Sequence, residues 1–239
     1  MNSRKYKIKP WIKNTFNSVI AVAAIAYLSF TSINHYYPVF EINGVSMMPS
    51  ITPKSLKSTE LLSESKQIVR NGVYIISTSE IENINVKHPG SVYIKRVVGL
   101  PGDTLSFNKR MGTLISINNT PVLKSRDKSF KSFSMTSKDE KTLGATFESD
   151  AYSVKVMGDT FSSYFPDEKA FDSLDPKLKS YIDVFFNFPW LSEKKQNGDI
   201  TTFTLPEGQY FALSDNAVSG TDSRHFGPVN RKSITHTVK

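Results

Sequence analysis

From Thr15 to Ile33 the chain carries no charged side chain, and the centre of that run reads Val19-Ile-Ala-Val-Ala-Ala-Ile-Ala-Tyr-Leu-Ser-Phe30. As a helix rising about 1.5 Å per residue, such a run crosses a hydrocarbon core about 30 Å thick. In lipid its backbone polar groups find no water, so a helix, which pairs them internally, is the form open to it. Arg4, Lys5, Lys7, Lys9 and Lys13 all precede the first acid, Glu41. That asymmetry predicts a basic cytoplasmic tail over 1–14, a transmembrane helix over 15–34 and an extracytoplasmic remainder. Trp11 and the Tyr36-Tyr37 pair flank the run as interfacial anchors. A cleavable secretory signal has the same charge pattern with a shorter apolar core, so the run by itself leaves anchor and leader both open.

The same tail accounts for most of the formal net charge of +8. Without those five cations, 25 Lys and Arg face 22 Asp and Glu, about +3. A basic excess confined to a tail removes the main support for nucleic acid as a partner. There is no cysteine, which excludes a disulfide framework and a thiolate metal site. His35, His88, His225 and His236 show no metal-ligand spacing, so neither a metal nor another cofactor is expected. With 239 residues and 38% hydrophobic content, the chain has room for one domain with an elaboration, or for two small ones.

Residues 92–98 are rich in Val, Ile and Tyr and read as a strand. Strand side chains alternate, which places Tyr93, Lys95 and Val97 on one face and Ile94, Arg96 and Val98 on the other. Leu100-Pro-Gly-Asp103 then ends the strand in a type II turn, with Pro presetting φ and Gly accepting a positive one. A lysine held on an apolar face loses the hydration of its ammonium, so its pKa falls from about 10.4 and the neutral amine becomes a base. The ordinary alternative is a stem that packs while the ammonium reaches water. Upstream, Val39-Phe-Glu-Ile-Asn-Gly-Val-Ser46-Met-Met-Pro-Ser50 sets a serine between a strand end and a proline.

Gly44-Val-Ser46-Met-Met-Pro49, Tyr93-Ile-Lys95-Arg-Val-Val-Gly-Leu-Pro-Gly-Asp103, and Ser214-Asp215-Asn216 with Thr221-Asp222-Ser223-Arg224-His225-Phe226-Gly227 resemble, in order, three boxes of the bacterial type I signal peptidase family. They make up about a ninth of the chain. The resemblance implies an uncleaved membrane anchor and a mainly β, antiparallel catalytic core from 38–103 plus 207–230. It implies a β-rich accessory domain inserted over 104–206. It also implies that Ser46 is the nucleophile, Lys95 its general base and the Ser46 backbone N–H an oxyanion donor, with Asp222 and Arg224 a supporting ion pair around Ser223. Gly44 stands where some members add a serine hydroxyl to the oxyanion hole. Gly220 stands where the family's serine hydrogen-bonds the lysine, so either Ser219 or Thr221 substitutes after a small loop shift, or Lys95 is less well oriented and activity is reduced; Gly220→Ser is expected to be neutral or activating.

Between the boxes the reading is plainer. Lys54–Lys66 is polar and solvated, Val69–Ser77 reads as a strand with Asn71-Gly72 at its start, and Leu114–Ile117 followed by Asn118-Asn119 reads as strand and turn. Lys124–Lys141 is Ser- and Lys-rich with little to bury, and Phe185–Leu191 gathers aromatics around a proline, as a small second core or, alternatively, a membrane- or substrate-contacting patch. The resemblance implies a membrane-bound serine endopeptidase that cuts signal peptides from exported preproteins after small residues. Its expected partners are those signal peptides and the bilayer. Its expected place is the bacterial cytoplasmic (inner) membrane, single-pass, with the catalytic domain periplasmic. A peptidase dedicated to one pilin or conjugation substrate and a catalytically silent tethered protein are the alternatives. A self-cleaving repressor with the same Ser-Lys chemistry is excluded by the apolar N-terminus.

Overall fold

The computed structural model describes residues 10–81, 91–109, 111–127, 151–156, 159–164, 187–194, 196–217 and 219–239. Arg4 to Lys9, His88, and parts of Lys124–Lys141 and Phe185–Leu191 lie outside the described residues. The apolar run forms one helix, α1 (Pro10–Tyr36). Every residue from Ser18 to Tyr37 is exposed, including Val22, Ile25, Leu28 and Phe30. Within α1, Ser18–Tyr36 is long and apolar enough to cross a membrane.

The strands follow as β1 (Val39–Ile42), β2 (Ser55–Leu61), β3 (Val73–Ser77), β4 (Val92–Gly99), β5 (Thr104–Asn108), β6 (Thr113–Ile117), β7 (Thr120–Pro121), β8 (Leu123–Asp127), β9 (Ala151–Val156), β10 (Asp159–Tyr164), β11 (Gln196–Asn197), β12 (Ile200–Thr204), β13 (Gln209–Leu213), β14 (Val229–Asn230) and β15 (Ile234–Val238). Two short helices, α2 (Pro189–Ser192) and α3 (Ser223–Phe226), complete the regular structure. The expected fold class is the observed one, mainly antiparallel β with one N-terminal apolar helix.

A seven-stranded sheet, in the order β1-β2-β15-β3-β4-β13-β14, carries the first and last thirds of the chain. The strand read from Val, Ile and Tyr is β4, paired antiparallel to β3 with Lys95 opposite Tyr74, and to β13 with Leu213 opposite Arg96. Its faces divide as the alternation predicts. Tyr93 and Val97 pack with Leu62, Ile68, Ile76, Ala212 and Phe226, whereas Ile94 packs with Ile42, Met47 and Ile51. The turn after β4 closes through the Asp103 N–H donating to Leu100 O at 3.0 Å, with Gly102 at φ +81°. A Cβ at that φ is strained, so glycine is what the turn requires.

Two boundaries differ from expectation. The strand expected from Val69 begins at Val73, because Asn71 takes φ +64° and residues 70–71 form a turn. Further on, β15 lies beyond the expected 207–230 yet sits between β2 and β3 in mid-sheet. A second sheet, β11-β12-β5-β6-β7, and a three-stranded one, β10-β9-β8, come from within 104–206. The second sheet meets the first through aromatics. Phe107 stacks on Phe203 at 5.9 Å, and both contact Phe211 of β13 at 5.3 Å.

Candidate active site

Ser46 lies in the turn that follows β1, between a half-buried Val45 and a fully buried Met47. Met47 packs with Ile42 and Ile51 beneath the turn, so the serine is held to the sheet by apolar contacts on both sides of it in sequence. The turn is also tied from above. Asn216 donates its backbone N–H to Ser46 O at 2.9 Å and its side-chain Nδ2 to Val45 O at 3.2 Å. The Ser46 backbone N–H has no hydrogen-bond partner among the described residues.

From β4, the Lys95 side chain reaches Ser46, with Nζ 3.0 Å from Oγ and 2.8 Å from Ile94 O. Lys95 is 2% exposed. Burial away from water is the chief cause that lowers its pKa to about 8, partly offset by the charges of Asp222 and Asp215 and reinforced by Arg224. The amine stands 5.2 Å from the centroid of the Tyr93 ring.

Behind the pair runs a buried ionic scaffold. Asp222 caps α3, accepting from the Arg224 backbone N–H at 3.1 Å, from Arg224 Nε at 2.9 Å and from the Ser214 N–H at 2.9 Å. Burial opposes its charge, but the Arg224 guanidinium and His225 outweigh that, and its carboxyl is held well below the usual range. Arg224 itself is 1% exposed, lies 4.5 Å from the Phe188 ring centroid and donates to Ala217 O at 3.3 Å. On the opposite face of β4, Arg96 grips Asp215 through two bonds, Nε to Oδ1 at 2.8 Å and Nη2 to Oδ2 at 2.6 Å. Thus the loop 214–217 is fastened at Asp215 to β4, at Asn216 to the serine turn, and at Ser214 to Asp222.

Of the residues singled out in the sequence, Ser46 and Lys95 meet, and Asp222 and Arg224 pair. Ser219 and Thr221 do not substitute for a serine at 220, since among the described residues the amine's hydrogen bonds run to Ser46 Oγ and Ile94 O alone. Ser223 Oγ instead accepts from the Ala212 N–H at 3.0 Å and steadies β13. The space around position 220 argues against the expected tolerance of a serine there. A Cβ on Gly220 falls 2.1 Å from Ser214 Oγ, 2.7 Å from Ser214 Cβ and 3.0 Å from Ser46 Cβ.

Arg96, Ser214, Asp215 and Asn216 were not picked out as site residues by the sequence reading, although the last three open a quoted box. Alternation assigns Arg96 to the face away from Lys95, and a cation directed into an apolar sheet needs a buried acid, which is the clue that points to Asp215. A cavity of about 510 Å3 lined by Trp190, Phe203, Phe226 and Val229 lies elsewhere, and neither Ser46 nor Lys95 borders it.

The family described as signal peptidase, peptidase S26, matches this chain over residues 10–239. A signal peptidase I of Buchnera aphidicola subsp. Baizongia pistaciae is 27% identical, over 96% of this chain and 76% of its own length. One from Streptococcus pneumoniae serotype 4 is 26% identical, over 100% of this chain and 94% of its own. Among solved structures, a signal peptidase I from Enterococcus faecalis V583 is 22% identical with a TM-score of 0.32, over 71% of this chain and 94% of that one.

Proposed function

This chain belongs to the signal peptidase family, peptidase S26, and is a peptidase; on that premise we propose that it is a membrane-anchored serine endopeptidase that removes signal peptides with Ser46 as nucleophile and Lys95 as general base. The observation that carries this reading is a buried amine 3.0 Å from a serine hydroxyl, with a pKa lowered to about 8. An unassisted serine hydroxyl is a weak nucleophile near neutrality, and a neutral amine at this distance is placed to take its proton.

The steps follow from these atoms. The Ser46 hydroxyl proton passes to Lys95 Nζ as Oγ bonds the scissile carbonyl carbon, whose oxygen gains the electron pair of the C=O π bond. The Ser46 backbone N–H, which has no partner among the described residues, supplies a donor for that oxyanion. Collapse expels the leaving amine, which takes the proton from the Lys95 ammonium, and an acyl-enzyme remains. Water then loses a proton to Lys95 as its oxygen bonds the ester carbonyl carbon; collapse breaks the acyl–Oγ bond, Ser46 Oγ takes the proton back from Lys95, and the product acid leaves. Asp222, Arg224, Arg96 and Asp215 hold these groups in place without touching the reacting atoms.

The substrate we propose is the signal peptide of an exported preprotein, cut after small residues. With α1 in the bacterial cytoplasmic membrane and its basic end in the cytoplasm, Ser46 stands on the periplasmic side. Only a short segment separates it from the helix end at Tyr36, so the nucleophile works close to the bilayer surface.

The test is cleavage of a preprotein in detergent by the wild-type chain, Ser46→Ala and Lys95→Ala. Both variants are expected to be inactive with circular dichroism unchanged. Wild-type turnover by Ser46→Ala would remove the serine from the mechanism.

A further inference from the structure

The Ser214 hydroxyl is buried and has no hydrogen-bond partner among the described residues, a costly state for a hydroxyl. Its surroundings show what it is beside. The ladder between β4 and β13 pairs Ala212 with Val97 and Leu213 with Arg96. Ser214 follows directly on Leu213, just past the end of β13, as Lys95 directly precedes Arg96 in β4. Alternation then gives Ser214 the face of Ala212, which packs in the cluster that includes Val97 and Tyr93, the residues flanking Lys95 on its face.

Gly220 makes the room. The atoms that a Cβ on Gly220 would meet are Ser214 Oγ, Ser214 Cβ and Ser46 Cβ, so the Ser214 hydroxyl and the Ser46 side chain border one small space that a larger residue at 220 would fill. A neutral amine has one lone pair and two N–H groups. If the lone pair takes the Ser46 proton and one N–H goes to Ile94 O, the other N–H needs an acceptor. An amine with an N–H to place and a hydroxyl lacking a partner thus both lie beside the Ser46 side chain.

We propose that Ser214 is a positioning residue for the peptidase reaction: a turn about its Cα–Cβ bond brings its hydroxyl oxygen onto the second N–H of Lys95, fixing the amine so that its lone pair faces Ser46. This rests on the assignment of Ser46 and Lys95 above. The charged and titratable groups facing the amine are Asp222 and Arg224 from the α3 cap, Asp215 from the loop after β13, and Tyr93 from β4. None of them supplies this hydrogen bond among the described residues. A hydroxyl oxygen accepts more strongly from an ammonium than from a neutral amine, so Ser214 favours the protonated form of Lys95 while holding it in register.

The experiment measures kcat against pH for preprotein cleavage in detergent by the full-length wild type, Ser214→Ala and the double variant Ser214→Gly/Gly220→Ser, with Ser46→Ala alongside. Ser214→Ala is expected to lower kcat by roughly tenfold with KM little changed, and to move the acid limb of the profile to lower pH. The double variant delivers the hydroxyl from the other wall of the same space and is expected to regain most of the loss. An unchanged kcat, a lower kcat with the limb unmoved or moved upward, or a double variant no better than Ser214→Ala would each overturn the proposal. Activity in Ser46→Ala would instead overturn the assignment beneath it, so the two failures are told apart.

Discussion

Arg224 is bound to Asp222 through both carboxylate oxygens, Nε to Oδ1 at 2.9 Å and Nη2 to Oδ2 at 2.5 Å, with neither side chain more than 1% exposed. Neither ion has water to fall back on. In Asp222→Asn the guanidinium stays buried without its counter-charge, and the α3 cap and the Ser214 N–H lose their ionic acceptor. Breaking one side of a buried pair costs about 3–5 kcal/mol. Chemical unfolding in detergent is expected to show a loss in that range, and a loss below about 1 kcal/mol would mean that the pair behaves as a surface one.

Lys95 links pH to both activity and stability. The base must be uncharged, so kcat is expected to rise as pH passes through about 8, the value to which burial lowers its pKa. A rate flat from neutrality to pH ~10 would contradict the base role. For stability, the folded pKa lies below the unfolded one, so between about 8 and the ordinary lysine value the unfolded chain binds more protons and stability rises with pH. Below that window the burial penalty is present in full. Lys95→Met is therefore expected to abolish cleavage yet stabilise the fold at neutral pH, by on the order of 2–3 kcal/mol, with the gain shrinking as pH climbs through the window. Unfolding midpoints measured across that range check the sign.

Much of this site was legible before any coordinates, because local chemistry and alternation act over short spans. The Val-Ile-Tyr strand, the Pro-Gly turn and the division of Lys95 from Arg96 across β4 all follow from residues next to each other in sequence. What was not legible depends on contacts between distant segments. Asp215 finds Arg96, and Asn216 finds the Ser46 turn, only once β13 lies against β4. The role of β15 was hidden for the same reason. Ile234–Val238 is short and carries polar Thr and His, and nothing local says that it fills the gap between β2 and β3. At position 220 the likeness by itself pointed to an omitted serine, whereas the packing shows Ser214 occupying the space beside it.

That packing sets the outcome of Gly220→Ser. Its new Cβ would lie 2.7 Å from Ser214 Cβ and 3.0 Å from Ser46 Cβ, well inside ordinary contact. The Ser214 hydroxyl can swing aside, but its Cβ cannot leave without the backbone. Overpacking of this kind typically costs 1–3 kcal/mol, and here the strain falls on the nucleophile. Preprotein cleavage by Gly220→Ser is expected to drop about tenfold or more, and turnover at or above wild type would show that the loop yields.

Gly44 is the contrasting case. It is exposed, and a Cβ built there meets nothing within 4 Å. Two residues before Ser46, a serine would add a hydroxyl donor near the developing oxyanion at no steric cost. Removing one such donor elsewhere costs about 100-fold or more in kcat. Gly44→Ser is thus expected to raise kcat with stability unchanged, and a fall in kcat would place the oxyanion on the other side of the serine.

The helix should be separable from the chemistry. From Ser18 to Tyr37 no residue is buried against the rest of the protein, and the ties that hold the start of the sheet begin one residue later, where Thr59 donates both its N–H and its hydroxyl to Pro38 O. Deleting residues 1–36 therefore removes no buried side chain from Ser18 to Tyr36. Large apolar side chains such as Val22, Ile25, Leu28 and Phe30 are each more than 60% exposed, and each contributes about 1.5–3 kcal/mol when taken out of water, as the proposed insertion into a bilayer would do. In flotation with phospholipid vesicles the full chain is expected to rise with the lipid and the truncated chain to stay below. The truncated chain is expected to cleave a short water-soluble peptide at close to the full-length rate but a membrane-inserted preprotein poorly, since on the proposed function the anchor brings Ser46 to the bilayer surface. Equal loss on both substrates would show instead that α1 is needed for the fold of the site.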